Sequence, residues 1–177
     1  MINKAANKAD LRFVKTEQLI EKTYLELKKE TQQPVKVSDL CSAALINKST
    51  FYSHYETMEA LDESICTKEV EGMLERCPNI DSAFTNTDAF VESLVEAIRG
   101  NLPLIGTLFK NDTIRQLSVF ESCLMKRYLH GDESPQMEMK IVFAIGGAAR
   151  LLITNQSEER IRMTIRLIKV ILDSDGA

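Results

Sequence analysis

The chain has 177 residues, a hydrophobic content of 44% and a formal net charge of −4. This composition supplies enough apolar side chains for one domain or two small ones. No apolar run approaches the roughly 18 residues that cross a bilayer, and the polar N-terminal segment is unlike a signal peptide. We therefore expect a cytoplasmic protein without a membrane segment.

The cysteines and histidines form no recognisable metal or catalytic pattern. The cysteines are Cys41, Cys66, Cys77 and Cys123; they form no C-x-x-C pair, and neither of the two histidines lies near enough to complete a zinc site. The sequence also lacks a glycine-rich phosphate loop, a G-x-S-x-G motif and clustered metal ligands. We expect reduced, mostly buried cysteines, no metal or other cofactor, and a protein that is not an enzyme. A redox-sensing cysteine is the alternative.

Positive charge is concentrated in the N-terminal third of the chain. Residues 1–55 hold nine Lys/Arg and six Asp/Glu, whereas residues 56–177 hold thirteen Lys/Arg and twenty Asp/Glu. Binding to phosphate requires local rather than overall positive charge. The distribution therefore favours a nucleic-acid-binding face on an otherwise acidic protein.

Hydrophobic residues recur at helical spacing along the chain and strand patterns are nearly absent, which predicts an all-α fold. Phe13, Ile20, Tyr24 and Leu27 define the apolar side of a first amphipathic helix over about residues 10–30. The polar, proline-containing segment that follows is expected to end this helix.

Two short helices follow, separated by about three residues. Ser38 can cap the first, because its side-chain oxygen can accept free amide hydrogens of the first helical turn. That helix carries Leu40, Cys41 and Ala44 on one side and ends near Ala44. Asn47 can cap the second helix in the same way. This spacing is typical of a helix-turn-helix.

The second of these helices divides into two sides. Phe51 and Tyr55 are four residues apart and share a side, which we assign to the core. The remaining residues form a polar surface with one aromatic edge: Lys48, Ser49, Thr50, Tyr52, Ser53 and His54. Such groups contact phosphates, base edges and thymine methyls in a major groove. The alternative is a solvated helix with an aromatic staple.

The TetR family of bacterial transcriptional regulators has a DNA-binding segment that resembles VKVSDLCSAALINKSTFYSHYETMEALDESI. The match extends over about residues 10–65. The positions that follow the family's pattern are Val37, Ser38, Ala44, Phe51, Tyr52, His54, Tyr55 and Leu61. The resemblance implies an N-terminal three-helix helix-turn-helix domain, residues 1–57, joined by a long helix to a helical ligand-binding and dimerisation domain, residues 58–177.

The resemblance also implies a function, that of a repressor. Such a protein binds a palindromic operator in double-stranded DNA as a homodimer and responds to a small-molecule effector. The resemblance adds Lys36 and Ser38 to the DNA-binding surface. The alternative is a TetR-like regulator whose DNA binding is weak or lost and which acts as a co-regulator through protein interactions.

Three positions depart from the family's pattern. Leu45 stands where the family usually has glycine, so either the turn differs or the leucine takes a positive φ at a cost of about 1 kcal/mol. Glu56 and Met58 stand where the family often has lysines that contact the DNA backbone, so backbone affinity is expected to be modest. The basic residues that could restore phosphate contacts are Lys4, Lys8, Arg12, Lys36 and Lys48.

The apolar spacing beyond residue 57 predicts helices over about residues 58–76 and 87–101, an interruption before Pro103, and a further helix from Asn111 to near His130. Apolar residues of this region could line a cavity for an effector. The candidates are Phe84, Phe90, Leu94, Ile98, Phe109, Phe120 and Met125. The alternative is that they form ordinary core.

Two C-terminal helices complete the predicted fold. Ser134 and Pro135 open the first, which has Gly146 and Gly147 near its middle, and the second spans about residues 157–173. Glycine weakens a helix by roughly 1 kcal/mol, and close approach of another helix is the usual compensation. We therefore predict a four-helix dimer interface; the alternative packs both helices within one subunit. The residues predicted for the dimer interface are Ile141, Ile145, Gly146, Gly147, Ala148, Leu152, Ile161, Ile165 and Ile168.

Overall fold

The computed structural model of this protein describes residues 4–82, 85–110, 113–129, 134–154 and 157–173, without the side chains of 4–9, 145, 146, 148–150, 152–154 and 173. All regular structure in these ranges is helical, which confirms the predicted all-α fold. The α-helices are α1 (Lys4–Glu30), α2 (Val37–Ala43), α3 (Lys48–His54), α4 (Met58–Glu75), α5 (Thr87–Gly100), α6 (Leu102–Leu108), α7 (Thr113–Tyr128), α8 (Pro135–Thr154) and α9 (Glu158–Asp173). A short 3-10 helix, Ile80–Ser82, precedes α5.

The contacts divide the chain into two compact units, Met1–Ile65 and Cys66–Ala177. Helix α4 begins in the first unit and continues into the second. Most helix bounds lie close to the predicted ones, but α1 begins at Lys4 and α6 was not predicted. Pro103 lies in the first turn of α6, where the amide hydrogen that proline lacks is not needed for a helical bond. The predicted interruption before Pro103 is present at Asn101, and the proline then helps to start α6.

The first unit has an apolar core to which every helix contributes, with Ile20, Leu40, Phe51 and Leu61 all buried. These side chains come from α1, α2, α3 and α4 in turn. Removing such side chains from water is the main favourable term in folding. The recognisable helix-turn-helix pair, α2 and α3, is thus packed on α1 and on the beginning of α4.

The first unit also contains a buried ion pair between α1 and α4. Lys28 is 1% exposed, and its Nζ lies 2.5 Å from Oδ1 of Asp62. The Tyr24 hydroxyl donates a hydrogen bond of 2.9 Å to the same oxygen. Buried charges are tolerated only when they are paired and hydrogen-bonded. These contacts therefore specify how the first turns of α4 pack on α1.

In the second unit α8 and α9 pack against each other, and α9 also packs on α5. Ile141 of α8 and both Ile161 and Ile168 of α9 are buried. The predicted cap at Ser134 is confirmed, because its hydroxyl oxygen accepts a hydrogen bond of 3.4 Å from the Met137 amide. Ser157, which was not predicted as a cap, accepts the Arg160 amide in the same way at 3.4 Å. Apolar packing between the last two helices thus holds this end of the chain together.

The four cysteines are all buried and carry free thiols, as expected. Burial raises the pKa of the Cys41 and Cys123 thiols above the usual range. Within the described ranges, no group of His, Cys, Asp and Glu is arranged to hold a metal ion. No helix in the described part of the chain has the length and apolarity to cross a membrane.

Candidate nucleic-acid interface

The turn between α2 and α3 determines how these two helices cross. The Ile46 amide donates to the Cys41 carbonyl at 3.0 Å and the Leu45 amide to the Ser42 carbonyl at 3.4 Å, which is the bonding pattern of a Schellman motif. The residue at the centre of this motif is usually glycine because its φ is positive. Here it is Leu45, with a φ of 54° and a side chain that is 92% exposed. The turn therefore has its usual geometry, held by a leucine.

The first turn of α2 differs from the predicted one. Lys36 is the extended residue before the helix, and its carbonyl accepts the amide hydrogens of Asp39 and Leu40. Ser38 lies inside α2, where its hydroxyl donates to Oδ1 of Asp39 at 3.2 Å. The prediction that Ser38 caps α2 was wrong, because the helix begins before it. Asn47 does precede α3, but its side chain makes no capping hydrogen bond.

Helix α3 has a buried side and an exposed side, as predicted. Phe51 is 0% exposed, whereas its neighbour Tyr52 is 55% exposed. The two rings meet edge to face with centroids 5.3 Å apart, which restricts where the Tyr52 ring can point. The other residues of the predicted surface on this helix divide into exposed Lys48, Ser49 and Ser53 and half-buried Thr50 and His54. The exposed side thus offers an ammonium, hydroxyl groups and a phenol.

Tyr55 ends α3 and joins it to α1. Its hydroxyl donates a hydrogen bond of 2.8 Å to the Glu21 carboxylate, and the Glu17 carboxylate lies at 3.4 Å. Burial, the hydrogen bond to Glu21 and the charges of both glutamates raise the pKa of Tyr55 far above its usual range. The hydroxyl therefore stays protonated and acts as a donor at every physiological pH. This bond fixes the end of α3 on α1.

His54 is half-buried at the edge of the inward side of α3. Its ring stacks on the ring of Phe13 in α1, with centroids 3.9 Å apart and an interplanar angle of 27°. Its Nδ1 atom is buried and has no hydrogen-bond partner among the described residues. The imidazole therefore packs α3 against α1, and only part of its ring remains accessible to solvent.

The helix-turn-helix has little net charge of its own. Lys36 and Lys48 are exposed, but so are Asp39 and Glu56. An acidic side chain near a phosphate opposes binding, whereas each phosphate neutralised by a cation favours it. The exposed cations of this surface are therefore matched by an equal number of exposed carboxylates.

The candidate ligand residues are only partly brought together in the second unit. Ile98, Phe109 and Phe120 line one apolar cavity, along with Met73, Leu104 and Leu108 among others. Its volume is about 20 Å³, which is room for about one water molecule. Phe90 and Leu94 are buried and Met125 is half-buried, but none of them lines this cavity, and Phe84 lies outside the described residues.

Most of the predicted dimer residues with described side chains lie on the inward side of α8 and α9, and Gly147 is the exception. Ile141, Ile161 and Ile168 are buried inside the protomer and Ile165 is half-buried, so they pack the two helices on each other. Gly147 is exposed, and a Cβ added there would meet nothing within 4 Å. The side chains of Ile145, Gly146, Ala148 and Leu152 lie outside the described residues. This part of the prediction therefore follows the alternative in which both helices pack within one subunit.

A row of exposed apolar residues lies on the other side of the same two helices. On α8 these are Met139, Val142, Phe143 and Leu151, and on α9 they are Met163, Leu167 and Val170. Phe143 and Gly147 are four residues apart, so they share this side of α8. This surface was not predicted, because the isoleucines at helical spacing indicate only the buried side of the two helices. Large contiguous apolar patches on a protein surface often mark interaction sites.

Comparisons with known proteins give one structural likeness. No protein-family model matches the chain. No curated protein matches it either. The chain is similar to a crystal structure described as a TetR-family transcriptional regulator from Streptomyces coelicolor, with 13% sequence identity and a TM-score of 0.47 over 88% of this chain and 80% of that one.

Proposed function

We propose that this protein is a DNA-binding transcriptional regulator, a repressor that binds a palindromic operator as a homodimer. The observation that carries the proposal is the helix-turn-helix itself, in which α3 buries Phe51 and exposes Lys48, Ser49 and Tyr52. A helix held in this way can enter a major groove with its polar side against the base edges. A dimer bound over a promoter represses by excluding polymerase and needs no additional activating surface.

The exposed apolar side of α8 and α9 supports the homodimer. A second copy of this chain could cover Phe143 and Leu167 with the same side of its own two helices, because a two-fold interface uses one surface twice. The two α3 helices would then be related by the same axis. A palindromic operator with half-sites about 34–36 Å apart matches that symmetry.

Control by a small-molecule effector belongs to the proposal, with the apolar cavity of the second unit as its site. Ligand pockets are typically about 300–1,000 Å³. The cavity of about 20 Å³ would therefore have to enlarge more than tenfold, which requires a second conformation of α5, α6 and α7. A ligand that selects such a conformation would change DNA affinity by its differential affinity for the two states.

A gel-shift titration tests DNA binding. Wild-type protein and the Tyr52→Ala variant are titrated against the promoter region of the protein's own gene and against scrambled DNA, at low and moderate salt. We expect the wild type to prefer the promoter. Tyr52→Ala should lose about 1–3 kcal/mol of that preference if the ring makes a base contact. Equal binding of the wild type to both DNAs would contradict the proposal.

Two variants test the homodimer by sedimentation. Gly147→Leu should leave the protomer folded, because Gly147 is exposed and a Cβ added there meets no described atom within 4 Å, yet it should alter a surface that a second copy covers. Phe143→Asp places a charge on that surface and should produce a monomer. Ile114→Asp, which places the same charge at an exposed apolar position of α7, is the matched control and should leave the dimer intact. A dimer unchanged in both test variants would exclude this surface as the interface.

A protein-binding co-regulator is the second candidate function. The exposed carboxylates of Asp39 and Glu56 favour it, because they lie beside the surface that would approach phosphates. The same gel shift distinguishes the two functions. The co-regulator would give no promoter preference at either salt concentration, although the purified protein is folded.

A further inference from the structure

The net positive charge of residues 1–55 comes from one short segment. Residues 4–15 hold four Lys/Arg and one Asp, whereas residues 16–55 hold five Lys/Arg and five Asp/Glu. The structure places residues 4–15 in the first three turns of α1. The helix-turn-helix that follows is therefore electrically balanced, and the net charge of its unit comes from the beginning of α1. We call residues 4–15 the α1 arm.

The four basic positions of the α1 arm follow one another along the helix. Lys4, Lys8, Arg12 and Lys15 are spaced by four, four and three residues, so their positions share one side of α1. Twelve helical residues span about 18 Å. That length corresponds to several phosphates along a duplex, which carries one charge per roughly 1.7 Å of axis.

The described part of the arm is open to solvent. Every residue from 10 to 15 is exposed, and the buried side of α1 begins only at Ile20. Arg12 and Lys15 have no ion-pair partner among the described residues. Their charges are thus not neutralised by the protein itself. They are available to an anionic partner.

Phe13 attaches the arm to the recognition helix. Its ring stacks on His54 in the last turn of α3, with centroids 3.9 Å apart, although 47% of the Phe13 side chain remains exposed. On a helical projection Phe13 lies on a different side of α1 from the four basic positions. The stack therefore holds the arm beside α3 without using its cations. The basic positions face away from this stack, so the arm would contact DNA that flanks the site read by α3.

We propose that the α1 arm is a second, sequence-independent DNA-binding element that contacts backbone phosphates next to the base pairs read by α3. This inference rests on the proposed DNA-binding function and assigns base contacts and phosphate contacts to different parts of the first unit. Lys36 and Lys48 are offset by Asp39 and Glu56, so the helix-turn-helix supplies base contacts while the arm supplies most of the phosphate contacts. A duplex fits the arm because its backbone is a continuous line of negative charge.

The salt dependence of DNA binding tests this inference in the full-length protein. Each phosphate contact contributes about 0.9 to the slope of log affinity against log salt. The double variant Arg12→Ala/Lys15→Ala should therefore reduce the slope by about 1.8, equally on promoter and scrambled DNA. The matched control is Lys22→Ala/Lys29→Ala, which removes two exposed cations from the later part of the same helix. It should leave the slope unchanged.

A charge-conserving variant separates charge from helix structure. Arg12→Lys/Lys15→Arg keeps both cations and should retain the wild-type slope. An unchanged slope in the alanine variant overturns the inference while leaving promoter recognition intact. A loss confined to promoter DNA also overturns it, because phosphate contacts are sequence-independent. If wild-type protein binds neither DNA, the proposed function and the inference both fail.

Discussion

The two units of the chain differ in how their helices are joined. In the first unit, charged and polar groups bridge helices inside the structure: Lys28 of α1 pairs with Asp62 of α4, and Tyr55 after α3 bonds to Glu21 of α1. Lys28 and Asp62 are the buried charged side chains within the described ranges. Such contacts have defined lengths and angles. They therefore fix the orientation of each helix as well as its proximity.

In the second unit the ion pairs lie nearer the surface. Arg99 pairs with Glu158 and Lys169 with Asp88, all with partly exposed side chains, while the interior between α8 and α9 is made by isoleucines. Apolar burial is non-directional. Directional bonds therefore set the orientation of α3 in the first unit, whereas the second unit depends on packed area.

The largest expected effect comes from removing one partner of the buried pair. Asp62→Ala removes the carboxylate that pairs with the buried Lys28 and should lower the free energy of unfolding by about 3–5 kcal/mol. Glu158→Ala, the control in the second unit, breaks an exposed pair and should cost about 0–1 kcal/mol. Urea titrations of both variants measure the contrast. Equal losses of unfolding free energy in the two variants would contradict the distinction between a directional ion pair in the first unit and a surface pair in the second.

A comparable loss is expected when the apolar anchor of α3 is removed. Phe51→Ala should cost about 3–5 kcal/mol, because the ring is completely buried. Tyr52→Ala, one residue away and largely exposed, should change stability by no more than about 0.5 kcal/mol. Thermal unfolding of the pair tests how α3 is rotated. The reverse result would mean that the two sides of α3 were assigned the wrong way round.

A smaller effect is expected for the hydrogen bond at the end of α3. Tyr55→Phe should cost about 1 kcal/mol at neutral pH, because the bond to Glu21 is lost. The raised pKa of Tyr55 stabilises the fold below the ordinary tyrosine pKa of 10.0, and that contribution declines as the pH rises above it. The wild type should therefore lose stability above pH 10 more steeply than Tyr55→Phe. Parallel pH profiles from chemical denaturation would contradict this assignment.

The smallest expected effect concerns the turn before α3. Leu45→Gly relieves a left-handed conformation that costs a leucine about 1–2 kcal/mol, but it adds freedom to the unfolded chain worth about 0.5–1 kcal/mol. The net result should be a gain of about 0.5 kcal/mol. Leu45→Ala keeps the strain and is the matched control. A loss of stability in the glycine variant would show that the exposed leucine makes a contact worth more than its strain.

Much of the first unit could be predicted because its signals are local. The spacing of Phe51 and Tyr55 predicted the buried side of α3. Leu45, at the position where glycine is usual, predicted either a different turn or a positive φ, and the structure has the positive φ. The Lys28–Asp62 pair could not be predicted in the same way. The two residues are 34 positions apart, and a lysine in an amphipathic pattern is ordinarily a solvent-facing residue.

In the second unit, periodicity predicted helices but not which side of each helix packs inward. Ile161 and Ile168 repeat on one side of α9, while Met163, Leu167 and Val170 repeat on the other. A helix that is apolar on two sides gives no preference between the protomer's own core and a partner. The tertiary contacts of α5 with α9 decide the question, and those contacts join residues far apart in sequence.

The burial of all four native thiols has a practical consequence for distance measurements. A single cysteine introduced at an exposed position such as Ser42 would be the site that a spin-label reagent reaches first, with the native residues left in place. Each subunit of a dimer would then carry one label. Pulsed electron paramagnetic resonance could report the separation of the two helix-turn-helix units directly, with and without DNA, in frozen solution.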